Sequence, residues 1–165
     1  MNRLEESFVE KVGLLLEADG APRISGKILG RLLLSATPRS LDELAEELLV
    51  SKASVSTNAR LLEDWGALER VSHPGDRRDY YRIAPDAEAR MLSRRIERMR
   101  KLIDLLAEGE QVAQHDAAVH ARVRRLKTFY EHAVQSLEEA IEHLRTCQVH
   151  VETDDEFKQA GVEQA

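Results

Sequence analysis

The sequence predicts a mainly α protein with a small β element. Three observations carry this. Apolar residues recur at three- and four-residue spacing along most of the chain. Partly alternating, β-prone segments stand out at two places, residues 68–71 and 80–83, a hairpin's distance apart. Aromatic residues are 4% of the 165, too few for an all-β sandwich.

Each element follows from local chemistry. Residues 4–18 place Leu4, Phe8, Val12, Leu15 and Leu16 on one stripe, an amphipathic helix stopped by Gly20. Pro22 suits the start of a second helix, with Ile24, Ile28, Leu29, Leu32 and Leu33 expected inward. Gly26 and Gly30 lie one turn apart in it, a spacing that suits close helix packing. After Thr37 and Pro38, Ser40 and Glu43 have the spacing of a capping box, which starts a short helix over about 41–48. Val50 and Ser51 make a turn, Ser51 caps a further helix over about 52–65, and Gly66 ends it. The segments 68–71 and 80–83 then form a hairpin around the turn residues His73, Pro74, Gly75 and Asp76. Within it, alternation predicts that one of Tyr80 and Tyr81 faces the core and the other solvent or DNA; Trp65 and Leu68 are expected in the core.

From Asp86 a long helix runs to Gly109, with Leu92, Ile96, Met99, Ile103 and Leu106 on one face. A second spans about 116–148, capped by Asp116. Its stripe is Val119, Val123, Leu126, Tyr130, Ala133, Leu137, Ala140, Leu144 and Cys147, in unbroken heptad phase. Such a stripe needs a partner, and both the preceding helix and a second subunit are expected to supply it. The fold class is therefore a winged helix-turn-helix followed by long dimerisation helices. The expected division is N-terminal helices over 1–39 that pack on the core and the dimer interface, a winged helix-turn-helix over 40–84, a dimerisation region over 85–150, and an acidic, disordered tail over 151–165.

The formal net charge of −6 disfavours a nucleic-acid binder until its distribution is examined. Residues 131–165 hold nine acids and two bases, Arg145 and Lys158, whereas residues 1–130 hold 22 bases and 21 acids. The acidity belongs to the C-terminal end. From Lys52 to Leu62 the charges are Lys52 and Arg60 alone, and from Arg70 to Arg82 four arginines face Asp76 and Asp79. Phosphate contact needs such a local basic surface, not a basic whole.

Residues 51–71 and 74–83, with the Asp76-Arg77-Arg78 tip, resemble the MarR-type winged helix-turn-helix regulators. The segments from Phe8 to Leu16 and from Ile24 to Leu34 look like the GbsR branch, named for control of glycine-betaine synthesis. The resemblance covers residues 4–84, and residues 85–148 in helical character. It implies a DNA-binding transcriptional regulator, a repressor, acting on double-stranded DNA as a homodimer at a pseudo-palindromic operator. It also implies modulation by a small-molecule effector seated between the DNA-binding lobe and the dimer helices. Arg78 would enter or border the minor groove, Arg77 would contact phosphate and Asp76 would brace the tip. The exit Ile83-Ala-Pro-Asp departs from the family's usual Leu-Thr-Pro-Lys-Gly, which leaves the start of the following helix open.

The residues support that transfer. Small polar side chains on the second helix reach base edges or phosphate oxygens, and no acid precedes Glu63. The candidate DNA-contacting residues are Ser51, Lys52, Ser54, Ser56, Thr57, Asn58, Arg60, Arg70, Asp76, Arg77 and Arg78. The candidate dimerisation residues are Val119, Val123, Leu126, Tyr130, Leu137 and Leu144.

Other functions find less support. His143, Cys147 and His150 share a helix face, one turn beyond Glu139, and imidazole and thiolate at this spacing can bind zinc or copper. The alternative is that Cys147 closes the heptad stripe and the histidines are solvated. Metal- or redox-responsive regulation through His143 and Cys147 is one alternative function; a protein-interaction module using the winged domain without DNA is another. No cofactor is expected. The run Arg94, Arg95, Arg98, Arg100 and Lys101 reads as a solvated helix face, as a source of further phosphate contacts, or as a partner for the acidic final helix. No Gly-rich phosphate loop, G-x-S-x-G elbow or HExxH motif points to an enzyme. The lone cysteine, the absence of an 18-residue apolar run and the early acids Glu5 and Glu6 lead to the expectation of a reduced, cytoplasmic protein without membrane association.

Overall fold

The computed structural model describes the backbone of residues 1–72 and 74–162, and their side chains except Arg145 and those from Cys147 onward. The chain divides into two compact units, the first ending at Met91 and the second beginning at Leu92.

The first unit contains α1 (Arg3–Ala18), α2 (Arg23–Leu33), β1 (Arg39–Ser40), α3 (Leu41–Leu48), α4 (Lys52–Asp64), β2 (Leu68–Val71), β3 (Tyr80–Ile83) and the first turn of α5 (Ala87–Val112). The strands form an antiparallel sheet in the order β1-β3-β2, with Tyr80 opposite both Ser40 and Val71. Ile28, Leu44, Val55, Leu62 and Leu68 close one core between the helices and the sheet, with Trp65 packed at its margin.

Local chemistry sets the element boundaries. The capping box of α3 is present: the Glu43 amide donates to Ser40 Oγ at 3.3 Å, and the Ser40 amide donates to Glu43 Oε2 at 2.7 Å. The bond from the Ser40 amide, with a second from the Ser40 hydroxyl to the same Oε2 at 2.7 Å, holds the Glu43 carboxyl below its usual range, and Arg39 and Arg78 add to this. A second capping box, Asn2 with Glu5, starts α1 and was not read from the sequence. Between α3 and α4 the chain turns through Leu49 in the left-handed region, φ 55°, with its side chain 91% exposed. There an L side chain meets its own backbone and glycine is favoured.

Helices α1 and α2 meet along a glycine seam, as the Gly26/Gly30 spacing implied. A Cβ on Gly26 would lie 2.6 Å from the Val12 carbonyl oxygen and 2.7 Å from Gly13 Cα, so backbone approaches backbone. The side chains facing this seam differ from the expected stripe. Val9 and Gly13 are buried, whereas Leu4, Phe8 and Leu15 of α1 and Leu33 of α2 are exposed. Close contact through glycine rotates the apolar side chains of α1 away from α2. Arg31 of α2 is buried against α3, its Nε donating to Glu47 Oε2 at 2.5 Å and its Nη1 to Ser35 Oγ at 2.7 Å.

Both tyrosines of β3 are buried, which corrects the expected alternation. Tyr81 enters the core, and burial raises its phenol pKa. Tyr80, on the other face of the central strand, is covered by the wing tip.

The second unit consists of the rest of α5, a 3-10 turn at Ala113–His115 and α6 (Ala117–Val162). Gly109 does not stop α5. A Cβ there would lie 3.4 Å from Val123 Cγ1, so the glycine is a contact position within the hairpin. Asp116 caps α6 as expected, its Oδ1 accepting from the amides of Ala118 and Val119 at 3.0 Å. Glu110 of α5 accepts from Lys127 Nζ at 2.7 Å and from Arg124 Nε at 3.3 Å, and the bond with Lys127 chiefly lowers its pKa. Arg100 pairs with Glu138, so part of the basic run on α5 does meet the acidic final helix.

Ile96, Val134 and Ile141 are the buried side chains of the hairpin seam, with Ala113 at its turn. Val134 and Ile141 follow the expected Ala133 and Ala140 by one residue, while Leu126 is 46% exposed. Val119, Val123, Tyr130, Ala133, Leu137 and Leu144 of the expected stripe are half-buried, so Val134 and Ile141 widen that face. The acidic stretch from residue 152, expected to be disordered, lies in α6 as far as Val162. No proline or glycine from 110 to 160 interrupts the helix that leads into it.

Candidate nucleic-acid interface

Helix α4 is the second helix of the helix-turn-helix, and its inward and outward faces differ sharply. Val55, Ala59 and Leu62 anchor it in the core. Ser51, Lys52, Thr57 and Arg60 are exposed, and Ser54 and Ser56 half-buried. Ser51 caps the helix by accepting from the Ser54 amide at 3.2 Å. Lys52 reaches back to Asp42 of α3 at 2.8 Å. Arg60 Nη2 donates to Ser56 Oγ at 2.8 Å, folding the guanidinium along the helix. Thr57 Oγ1 donates to the Ala53 carbonyl. These contacts are local and solvent-facing, so they can be exchanged for other acceptors at little cost.

Asn58 departs from the expectation. It is 7% exposed, with Nδ2 donating to the Ser54 carbonyl at 2.8 Å. Three residues beyond Val55 and four before Leu62, it shares their inward side, which its polarity concealed.

The wing joins β2 to β3. Gly75 turns the backbone at φ 83°. Asp76 is the hub of the tip. Its Oδ1 accepts from the Arg78 amide at 2.9 Å, and its Oδ2 accepts from Arg78 Nε at 2.9 Å, Arg78 Nη2 at 2.6 Å and Tyr80 Oη at 2.9 Å. The Arg78 guanidinium also lies 5.3 Å from the centroid of the Tyr80 ring. Hydrogen bonds from Arg78 hold the Asp76 carboxyl well below the usual range, and the same pair raises Arg78. The Tyr80 phenol is raised, chiefly by its bond to Asp76. The brace that the resemblance assigned to Asp76 is thus present, with Tyr80 as a third member. The sequence held a signal for it: in D-x-R-x-Y leading into a strand, the first, third and fifth positions fall on one side.

Arg77 is exposed and has no ion-pair partner among the described residues, and Arg70 lies 3.4 Å from Asp79. The candidate residues therefore fall on two exposed elements of the first unit, α4 and the wing, with Asn58 set apart. Among the described residues no group of three His, Cys, Asp or Glu side chains is placed to hold a metal. His143 is exposed, and the side chains of Cys147 and His150 lie outside the described residues. No helix among the described residues is long and apolar enough to cross a membrane.

Comparison with known proteins agrees with this architecture. Residues 27–79 match the model of the MarR family. The chain is 42% identical over 103 residues to the HTH-type transcriptional regulator MmpR5 of Mycobacterium tuberculosis, covering 62% of each. It is 32% identical over 82 residues to the HTH-type transcriptional repressor OpcR of Bacillus subtilis, covering 50% of this chain and 44% of that one. The chain thus spans between 44% and 62% of the length of these two relatives. A crystal structure described as that of a transcriptional regulator superposes with a TM-score of 0.81 at 31% identity, covering 86% of this chain and 98% of the other. By sequence match and fold together, the chain belongs to the MarR family of winged helix-turn-helix transcriptional regulators.

Proposed function

We propose that the protein is a sequence-specific, DNA-binding repressor that acts in the cytoplasm as a homodimer on a pseudo-palindromic operator. The observation that carries this reading is the pairing of an outer face of α4 that holds no acid before Glu63 with a braced arginine at the wing tip. Helix α4 enters the major groove, where Lys52, Ser54, Ser56, Thr57 and Arg60 meet phosphates and base edges. Arg78 addresses the adjacent minor groove, while Arg70 and Arg77 contact phosphate. Repression is favoured by the name of the OpcR relative, and the resemblance of the α1 and α2 segments to the GbsR branch supports a GbsR-like regulator.

The dimer is supported by apolar side chains that one protomer leaves in solvent, Leu105, Leu126 and Phe129 in the second unit. Two-fold symmetry then sets two α4 helices about one helical turn of DNA apart. A small-molecule effector changes operator affinity by binding the competent and incompetent arrangements unequally.

The test is selection of duplexes from a random-core library by the wild-type protein, followed by fluorescence anisotropy at several salt concentrations. A palindromic consensus whose binding resists random competitor and weakens steeply with salt is the expected result. Recovery of no consensus overturns the reading.

A further inference from the structure

The wing tip holds an arrangement that goes beyond a simple Asp-Arg brace. Asp76 engages one edge of the Arg78 guanidinium, through Nε and one Nη2 hydrogen, and the same oxygen, Oδ2, also accepts from the Tyr80 hydroxyl. The Tyr80 ring lies beneath the guanidinium, within the range of a cation–π contact. Tyr80 is itself fixed from behind. It stands in the central strand, opposite Ser40 on one side and Val71 on the other, and is buried.

We propose that Tyr80 is the positioning residue of the wing: it transfers the rigidity of the sheet to Asp76, and through Asp76 fixes which edge of Arg78 faces the DNA. This rests on the DNA-binding reading above. Arginine has five N–H donors in a planar fork. With Nε and one Nη2 hydrogen on Asp76, the outward edge keeps both Nη1 hydrogens and the second Nη2 hydrogen. That edge suits the paired acceptors of a minor groove, adenine N3 and thymine O2. Without the tyrosine, the Arg78 amide on Oδ1 would be the carboxylate's one backbone anchor, so carboxylate and fork could turn together about it, meet the groove in many orientations and lose entropy on binding. The hydroxyl of Tyr80 removes that freedom before DNA arrives.

The experiment is a double-mutant cycle on the full chain, read as affinity for the duplex selected by the wild-type protein. Tyr80→Phe keeps the ring and removes the hydroxyl. It is expected to weaken binding roughly three- to tenfold, the range of one net hydrogen bond, with the thermal midpoint within about 2 °C of wild type. Arg78→Ala is expected to weaken binding more. In the Arg78→Ala background Tyr80→Phe is expected to cost nothing further, because its role runs through Arg78. A purely structural tyrosine would instead give the same loss in both backgrounds. That additive result overturns the proposal, and so does a neutral Tyr80→Phe beside an impaired Arg78→Ala; both leave the DNA-binding reading intact. An Arg78→Ala variant that binds like wild type overturns the wing's role in DNA binding, and the positioning proposal with it.

Discussion

In the first unit Ile28, Leu44, Val55 and Leu62 are sealed from solvent entirely, whereas in the second unit Ile96, Val134 and Ile141 each keep some exposure and Leu105, Leu126 and Phe129 stand in the open. The contrast follows from layering. The first unit packs helices against one another and on a three-stranded sheet, so its core is enclosed from several sides. The second is a hairpin of two long helices with a single seam, and two cylinders in contact leave most of each surface uncovered. The first unit has a sealed core and carries exposed apolar side chains such as Leu4, Phe8, Leu15 and Leu33 outside it; the second has a seam alone.

That difference can be broken at either end. Leu62→Ala in the sealed core is expected to cost about 3–5 kcal/mol, because the site cannot collapse around the void; chemical denaturation measures it, and a loss under about 1 kcal/mol would mean the core is loosely packed. Leu137→Asp places a charge on the hairpin stripe, twice in the proposed symmetric dimer. It is expected to raise the dimer dissociation constant by about two to three orders of magnitude. Sedimentation equilibrium would detect this, and an unchanged folded dimer removes the stripe from the interface. Gly26→Ala, with its Cβ driven against the backbone of α1, is expected to cost about 1–3 kcal/mol.

Two smaller effects sharpen the contrast within the first unit. Leu49→Gly relieves a left-handed leucine with little packing to lose, and is expected to stabilise the protein by about 0.5–1 kcal/mol. A lower thermal midpoint would show instead that the exposed leucine is covered in solution. The wing should ignore ordinary changes in pH. Arg78 lowers the Asp76 carboxyl, so its stabilisation is complete above the unfolded carboxylate range near 3.9 and fades as pH falls through the lowered folded value. The Arg78 Nε–H resonance should therefore persist unchanged from pH 7 to pH 5; broadening across that interval contradicts the brace.

Much of this architecture is legible in the residues. The capping box at Ser40 and Glu43, the cap at Ser51, the hairpin segments and the cap at Asp116 each rest on contacts within a few residues, and each is found. What escaped depends on partners distant in sequence. The two-residue strand β1 has no signal of its own and exists because Arg39 and Ser40 pair with β3. Asn58 looked like a contact residue by type, but the helix phase set by Val55 and Leu62 turns it inward. The final-helix stripe was read too narrowly: most of its members are half-buried, but Val134 and Ile141, one residue beyond heptad positions, are buried beside them. At the wing, the aspartate and arginine were readable as a motif, whereas the tyrosine joined them only once the central strand had fixed its direction.

The ion pair of buried Arg31 and half-buried Glu47 has a consequence for how this lineage can change. Removing Glu47 strands the Arg31 charge between α2 and α3, a loss of about 3–5 kcal/mol. Removing Arg31 leaves Glu47 3.8 Å from Arg39 and partly in solvent, which costs less. Change therefore has an order: homologues that have abandoned the glutamate are expected to have abandoned the arginine with it, and the arginine can be lost first.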